Sequence, residues 1–272
     1  MCRPVLLKLC IVLVVSLCSC NISETIEKTS ASANAIETLN EYSIVSKHFY
    51  QASNSCTEGL LTAEKEQGNS ILKSEYTNAK VTVAPKGNEA WPVIITVDYG
   101  DGVVGKDGIM RKGKLQTESS NWYQAENSIH ITTFENYYQD NHKLEGVHIA
   151  SNKGKNAEGF LSYNIEIKEG ELITPEGKHI SYAQQSMRTQ IVGTKTPLDI
   201  SDDEYLIDGS QVGVSSNGLN YTLQITKALH FVVFPRQIKD GVMMVNVDGL
   251  NGIEMDYNAS TITIGGLSYP LP

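Results

Sequence analysis

Residues 160–170 read Phe-Leu-Ser-Tyr-Asn-Ile-Glu-Ile-Lys-Glu-Gly, and this stretch indicates how the body of the chain folds. Its apolar residues Leu161, Tyr163, Ile165 and Ile167 alternate with polar ones, which is the period of a β-strand with one buried face. A Glu-Gly pair follows, and such pairs are typical of turns. We therefore predict a half-buried strand that ends in a turn.

The same pattern recurs along most of the chain after residue 79. Further alternating runs occupy residues 80–84, 93–99, 129–134, 144–151, 221–227, 242–247, 253–257 and 261–264. Turn pairs stand between runs at Glu169-Gly170, Glu176-Gly177, Asp240-Gly241 and Asp248-Gly249. Short strands with glycine turns favour antiparallel pairing, and no long helical pattern interrupts them. We predict a mainly β fold, an antiparallel sandwich or open meander, over residues 76–272, with a possible seam at residues 193–203.

A helical segment is predicted before the sheet, over residues 31–75. Apolar residues recur here at spacings of about three or four residues, at Ile36, Leu39, Tyr42 and the pair Ile44 and Val45. This spacing is typical of an amphipathic helix. A second helical stretch is predicted over residues 57–66.

The amino terminus has the layout of a bacterial lipoprotein signal. Arg3 and Lys8 precede an apolar run over residues 9–17, which is too short to span a membrane. Leu17 and Ser19 stand where a lipobox before Cys20 requires an aliphatic and a small residue. We predict removal of residues 1–19, lipidation of Cys20 by diacylglycerol and an N-linked chain such as palmitate, and a polar tether over residues 20–30. The predicted location is the outer membrane, on either its periplasmic side or the cell surface.

Charge and cysteine content restrict the partners. The net charge of −9 becomes more negative once residues 1–19 are removed, because they carry two cations and no acid. We therefore expect no binding to nucleic acid, whose backbone would repel the chain. If Cys20 is acylated, Cys56 has no partner within the mature chain. It is then a buried thiol or forms an intermolecular bridge.

No motif predicts catalysis or a cofactor. Residues 100–105 spell G-x-G-x-x-G, but more glycines follow where a nucleotide fold would need a helix, so we interpret them as a hairpin loop. The acidic residues near this loop and those at residues 199–204 do not have the spacing of a calcium-binding loop. The sequence leaves open whether a structural calcium ion binds there. The six histidines form no zinc pattern, and no nucleophile elbow occurs. We therefore predict no cofactor, no metal site, no catalytic residue and no enzyme.

Two aromatic pairs are the candidate ligand-facing residues, Trp122 with Tyr123 and Tyr137 with Tyr138. In a strand, one member of each pair faces the core and the other faces solvent. An exposed member would stack on a sugar ring or fill a pocket in a partner protein, and the alternative is ordinary cross-strand packing.

Several motifs together resemble a group of uncharacterised lipoproteins from Bacteroidetes. They occur in the same order, at residues 94–102 (Ile-Ile-Thr-Val-Asp-Tyr-Gly-Asp-Gly), 107–114, 133–138, 144–146, 173–177, 196–205 (Thr-Pro-Leu-Asp-Ile-Ser-Asp-Asp-Glu-Tyr) and 218–229. The resemblance implies export, lipid anchoring and a helix followed by a β-rich body, and it implies no activity. The chain lacks the cysteines that the group tends to carry after its first motif and in its carboxyl-terminal part.

Three functions are compatible with these patterns. The first is a lipid-anchored envelope protein that binds a glycan or an envelope protein, or serves as a structural module. The second is an adhesive or fimbrial subunit that accepts a donor strand at a sheet edge. The third, ranked last, is a carbohydrate-active hydrolase whose carboxylates meet only in the folded chain.

Overall fold

The computed structural model describes residues 18–65, 72–74, 76–85 and 91–271, and it describes side chains from Ser30 onward except that of Leu72. Most of the predicted signal peptide and the side chain of Cys20 lie outside this part. One helix, α1 (Cys18–Lys65), precedes the strands of the described chain. The strands are β1 (Leu72–Lys73), β2 (Lys80–Ala84), β3 (Val93–Asp98), β4 (Val103–Val104), β5 (Met110–Ser119), β6 (Ile129–Gln139), β7 (His142–Lys155), β8 (Leu161–Ile173), β9 (His179–Val192), β10 (Glu204–Val214), β11 (Asn220–Val232), β12 (Gln237–Val247), β13 (Leu250–Asp256), β14 (Thr261–Ile264) and β15 (Leu267–Pro270).

The described strands form one antiparallel meander. Each strand pairs with the next along the chain from β1 to β15, except that β3 pairs directly with β5 and the short β4 pairs with β5 alone. The predicted mainly β class with an amino-terminal helix is therefore confirmed, in the form of an open meander. Strands β9 and β10 pair from Val192 and Glu204 to Ser181 and Val214, so the sheet continues across residues 193–203.

The helix is the axis around which the sheet curls. Every residue from Val45 to Leu61 except Lys47 is buried, although an amphipathic helix would leave one face in solvent. Phe49 contacts Phe134 of β6 and stacks on Tyr182 of β9 with ring centroids 5.0 Å apart. The helix also contacts β2 and β3 near one end of the meander and β13 near the other, so the sheet encloses it.

The predicted helix boundaries differ from those observed. The two predicted helical stretches form one continuous helix, which ends at Lys65 rather than near residue 75 and already includes residues 20–30, predicted as a tether. Of the predicted apolar stripe, Leu39, Tyr42 and Val45 are buried, but Ile44 is 41% exposed. The stripe ends where the sheet encloses the helix and polar residues become interior residues.

Polar side chains on the buried part of α1 are hydrogen-bonded to the sheet. The Tyr42 hydroxyl donates to Gln211 of β10, and His148 Nε2 of β7 lies 2.9 Å from Ser53 Oγ. Near the helix end, Glu58 Oε1 accepts from the backbone N–H of Thr77 at 3.2 Å. Buried polar groups are costly unless paired, so these bonds make a polar core helix compatible with folding.

Two predicted turns are β-bulges instead. Glu169-Gly170 lies within β8, where the pairing to β9 shifts register, and Asp240-Gly241 lies within β12, where the pairing to β11 shifts. Glu169 and Gly241 have φ values of 51° and 125°. A bulge and a tight turn need the same left-handed backbone conformation, so residue type alone does not separate them. Glu176-Gly177 and Asp248-Gly249 do connect strands, as predicted.

Buried histidines should make stability fall in mild acid. Burial lowers the pKa of His48 and of His130 to about 4 and that of His148 to about 3, against about 6.5 in an unfolded chain. The folded chain resists protonation, so this stability is present above pH 6.5 and is lost as the pH falls toward 4. Each histidine should remove about 1.4 kcal/mol per pH unit in that window.

Urea unfolding at pH 7.5 and pH 5.0 measures this effect. His148→Gln should reduce the difference in the free energy of unfolding between the two pH values, whatever it does to stability at pH 7.5. The control is His179→Gln, because the side chain of His179 is 59% exposed. An unchanged pH difference in His148→Gln would contradict the assignment.

Candidate functional site

A cleft of about 380 Å³ lies beside the helix where several connections between strands converge. Lys47, Gln51 and Asn54 of α1 form its floor, since spacings of four and three residues place them on one helix face. Its walls come from the β1–β2, β4–β5, β6–β7 and β11–β12 connections. Ligand sites are typically concave and combine apolar side chains with a few polar groups, which makes this cleft the best candidate in the described part of the chain.

One wall of the cleft is a buried ion pair. The Arg111 guanidinium of β5 donates to both carboxylate oxygens of Asp107, from Nη1 to Oδ1 at 3.0 Å and from Nη2 to Oδ2 at 2.6 Å. Burial alone would lower the pKa of Arg111, but the bonds to Asp107 outweigh it and raise that pKa. The loop closes tightly here, because a Cβ on Gly105 would lie 2.5 Å from Asp107 Oδ1. The pair is therefore a fixed, planar polar group, and mainly its Asp107 side is exposed to the cleft.

Aromatic side chains form the rim. Phe234, in the β11–β12 connection, is 48% exposed and packs edge-on against Tyr76 with ring centroids 5.7 Å apart. The backbone N–H of the preceding Val233 donates to the carbonyl of Asp203 at 3.1 Å, which attaches this connection to the sheet. The free part of the Phe234 ring is thus held beside the polar floor.

Buried side chains behind the cleft hold its floor in place. Arg188 of β9 is buried, donates through Nη2 to Asn54 Oδ1 at 3.1 Å, and lies with its guanidinium carbon 3.6 Å from the centroid of the Tyr205 ring. The Tyr205 hydroxyl in turn donates to Asp203. Because the amide oxygen of Asn54 is engaged by Arg188, the amide N–H group is what Asn54 offers to a ligand. The cleft is therefore preorganised by the core.

The predicted ligand-facing aromatics divide between core and surface. Tyr123 and Tyr137 are buried, Tyr123 stacked on Tyr163 with centroids 4.6 Å apart and Tyr137 beside Tyr99, so the prediction that they face a ligand is wrong for both. Each is enclosed because it lies on the side of the chain that faces α1.

Their partners Trp122 and Tyr138 are partly exposed but lie apart from the cleft. Trp122 is in the β5–β6 connection and packs edge-on against Trp91, with ring centroids 4.9 Å apart. Tyr138 lies under Lys112, whose Nζ is 4.1 Å from the ring centroid. The structure does not bring these two residues together with the other aromatics of the candidate site.

Acidic residues near residues 100–107 and at residues 199–204 form hydrogen bonds and ion pairs within the protein. The glycine-rich segment at residues 100–105 turns into β4, and Asp107 pairs with Arg111. In the second cluster, Asp203 accepts from Gln190 Nε2 at 2.7 Å, while Glu204 pairs with Lys239 at 2.7 Å. Within the described residues no three His, Cys, Asp or Glu side chains are grouped closely enough to hold a metal ion.

Cys56 is a free, buried thiol on α1. Burial raises its pKa to about 12, so the thiolate that reacts in exchange chemistry is scarce at neutral pH. Of the two readings of this cysteine, its position favours the buried thiol.

The cleft residues escape sequence analysis because they lie far apart in the chain. Two local signals point toward them, the spacing of four between Asp107 and Arg111 and the Phe-Pro-Arg run at residues 234–236 between two strands. Neither indicates that the helix lies behind them.

Comparison with known proteins adds no relative. No helix in the described part of the chain is long and apolar enough to cross a membrane. No protein-family model, no curated protein and no solved structure matches the chain.

Proposed function

We propose that the chain is a lipid-anchored protein of the bacterial cell envelope that binds a saccharide in the cleft. The single observation that carries the proposal is the composition of the cleft: one half-exposed aromatic ring, two amides and a planar ion pair around about 380 Å³. Sugar rings present C–H faces that stack on aromatic rings and hydroxyls that pair with amides and charged planar groups. The second proposed partner is the lipid bilayer, which the chain would contact through acylated Cys20.

The amino-terminal part of α1 would separate the lipid anchor from the folded body. The described helix runs from Cys18, and the first fully buried residue among its described side chains is Ala35. An α-helix rises 1.5 Å per residue, so roughly 20 Å of helix separates Cys20 from the enclosed part. We infer that this part of α1 holds the body above the lipid headgroups.

The alternative functions have less support. Within the described residues the edge strands of the sheet are short, two residues in β1 and four in β15 with Pro270 at its end, and such edges disfavour strand addition by an adhesive partner. Asp107 is held by Arg111, and Asp140 Oδ1 accepts from the Met110 N–H at 3.1 Å. A hydrolase would need carboxylates free to exchange protons.

Binding by a Phe234→Ala variant tests the proposal. The chain starting after Cys20 is applied to an array of envelope and polysaccharide-derived oligosaccharides, and the strongest ligand is titrated by calorimetry. Losing the ring should weaken binding of that ligand about fivefold or more, if a sugar ring stacks as well as a nucleic-acid base, whose stacking on an aromatic ring is worth about 1–3 kcal/mol. Leu267→Ala is the control, because Leu267 is 63% exposed on β15, away from the cleft.

Two outcomes would refute the proposal. One is an array on which no oligosaccharide binds saturably. The other is binding that survives Phe234→Ala but is lost in Trp122→Ala, which would place the ligand at the β5–β6 connection.

A further inference from the structure

The cations of the cleft are unevenly paired. The five charged residues lining it are Lys47, Asp107, Arg111, Asp140 and Arg236. Arg111 and Asp107 neutralise each other, and Asp140 accepts a backbone N–H. Among the described residues, no carboxylate forms a salt bridge with Lys47 or Arg236. These two side chains therefore leave an excess of positive charge on the floor and rim of the cleft.

Some cations elsewhere on the described surface pair with a carboxylate. Examples are Lys143 with Glu145 at 2.6 Å and Lys227 with Asp240 at 2.7 Å. The whole chain has a net charge of −9, so two cations without a salt bridge in one cleft are opposite in sign to the overall charge. Arg236 is also oriented, with its guanidinium carbon 6.0 Å from the Phe231 ring centroid. An ammonium and a guanidinium that line one cleft without a salt bridge can both pair with an anionic ligand.

We propose that the saccharide is acidic, and that Arg236 and Lys47 bind its carboxylate while the sugar ring packs on Phe234. This inference rests on the proposed saccharide-binding function and specifies its ligand. A guanidinium presents paired N–H donors that match the two oxygens of a carboxylate, and a lysine ammonium adds a point charge. A phosphate on a sugar has the same chemistry, and the test distinguishes the two sources.

Matched acidic and neutral ligands test the inference. Oligomers of galacturonate, alginate and hyaluronan are titrated beside their carboxyl-reduced forms, together with hexose phosphates. The acidic form of at least one oligomer should bind tenfold or more tightly than its reduced form, and binding should weaken between 50 and 300 mM salt because exposed charges are screened. Tighter binding of hexose phosphates than of every uronate oligomer would assign the anion to phosphate.

Charge variants identify the residues that bind the anion. Arg236→Gln and Lys47→Gln should each reduce affinity for the acidic oligomer about tenfold and reduce affinity for its carboxyl-reduced form by a much smaller factor. Lys153→Gln, an exposed lysine of β7, is the control and should have no effect. Equal affinity for acidic and reduced forms, with loss of both in Phe234→Ala, would overturn this inference and leave the proposed function standing. Absence of binding to every oligomer would instead overturn the proposed function.

Discussion

Phe49→Ala is expected to lower the free energy of unfolding by about 3–5 kcal/mol, the range for deleting a fully buried aromatic ring. Phe49 lies on the enclosed part of α1 and is 1% exposed. It contacts β6 and β9, two strands that are not neighbours in the sheet. The cavity left by its removal would lie between helix and sheet, where neither can close it alone.

Ile44→Ala is the matched control for Phe49→Ala. Ile44 lies on the same helix, five residues earlier, and is 41% exposed, so its truncation should cost less than about 1 kcal/mol. Both values come from urea unfolding at pH 7.5, followed by circular dichroism. Similar small effects of the two substitutions would mean that the sheet does not enclose the helix.

Arg111→Met is expected to cost about 3–5 kcal/mol, because it leaves the Asp107 carboxylate buried without its partner. The side chains of Arg111 and Asp107 are 2% and 10% exposed, and both nitrogens of the guanidinium fork are engaged. The double variant Arg111→Met with Asp107→Asn should recover part of the loss, since it removes the unpaired charge.

An exposed ion pair provides the comparison for Arg111→Met. Lys114 lies 3.9 Å from Glu135, and the two side chains are 40% and 60% exposed. Lys114→Met should change the free energy of unfolding by about 1 kcal/mol at most, as exposed pairs contribute little. Thermal unfolding of the four proteins, wild type included, is sufficient to rank them. A double variant less stable than Arg111→Met alone would contradict the assigned pairing.

Local patterns in the sequence predict the strands well because alternation depends only on one face of each strand being buried. Tyr163, Ile165 and Ile167 of β8 are buried as the alternation indicates. The same reasoning fails at Glu169-Gly170 and Asp240-Gly241, where a bulge and a turn have the same sequence signature. The curling of the sheet follows from its twist and bulges over many strands, which no single stretch specifies.

The enclosed helix is the feature that sequence periodicity could not predict. Between Val45 and Leu61 the residues His48, Gln51, Asn54 and Glu58 would occupy a solvent face in an isolated amphipathic helix. They are buried because residues distant in the chain, such as Gln139 and Arg188, hydrogen-bond with them. Sequence patterns do not locate the candidate site for the same reason, since its floor is formed by residues of this helix.

A crystal structure of the lipid-free chain with its tightest-binding oligosaccharide tests the central claim most directly. The account predicts electron density for a sugar ring on Phe234, with polar contacts to Asn54 and an acidic group beside Arg236. An oligosaccharide bound only at Trp122, or elsewhere on the outer face of the sheet, would contradict the account.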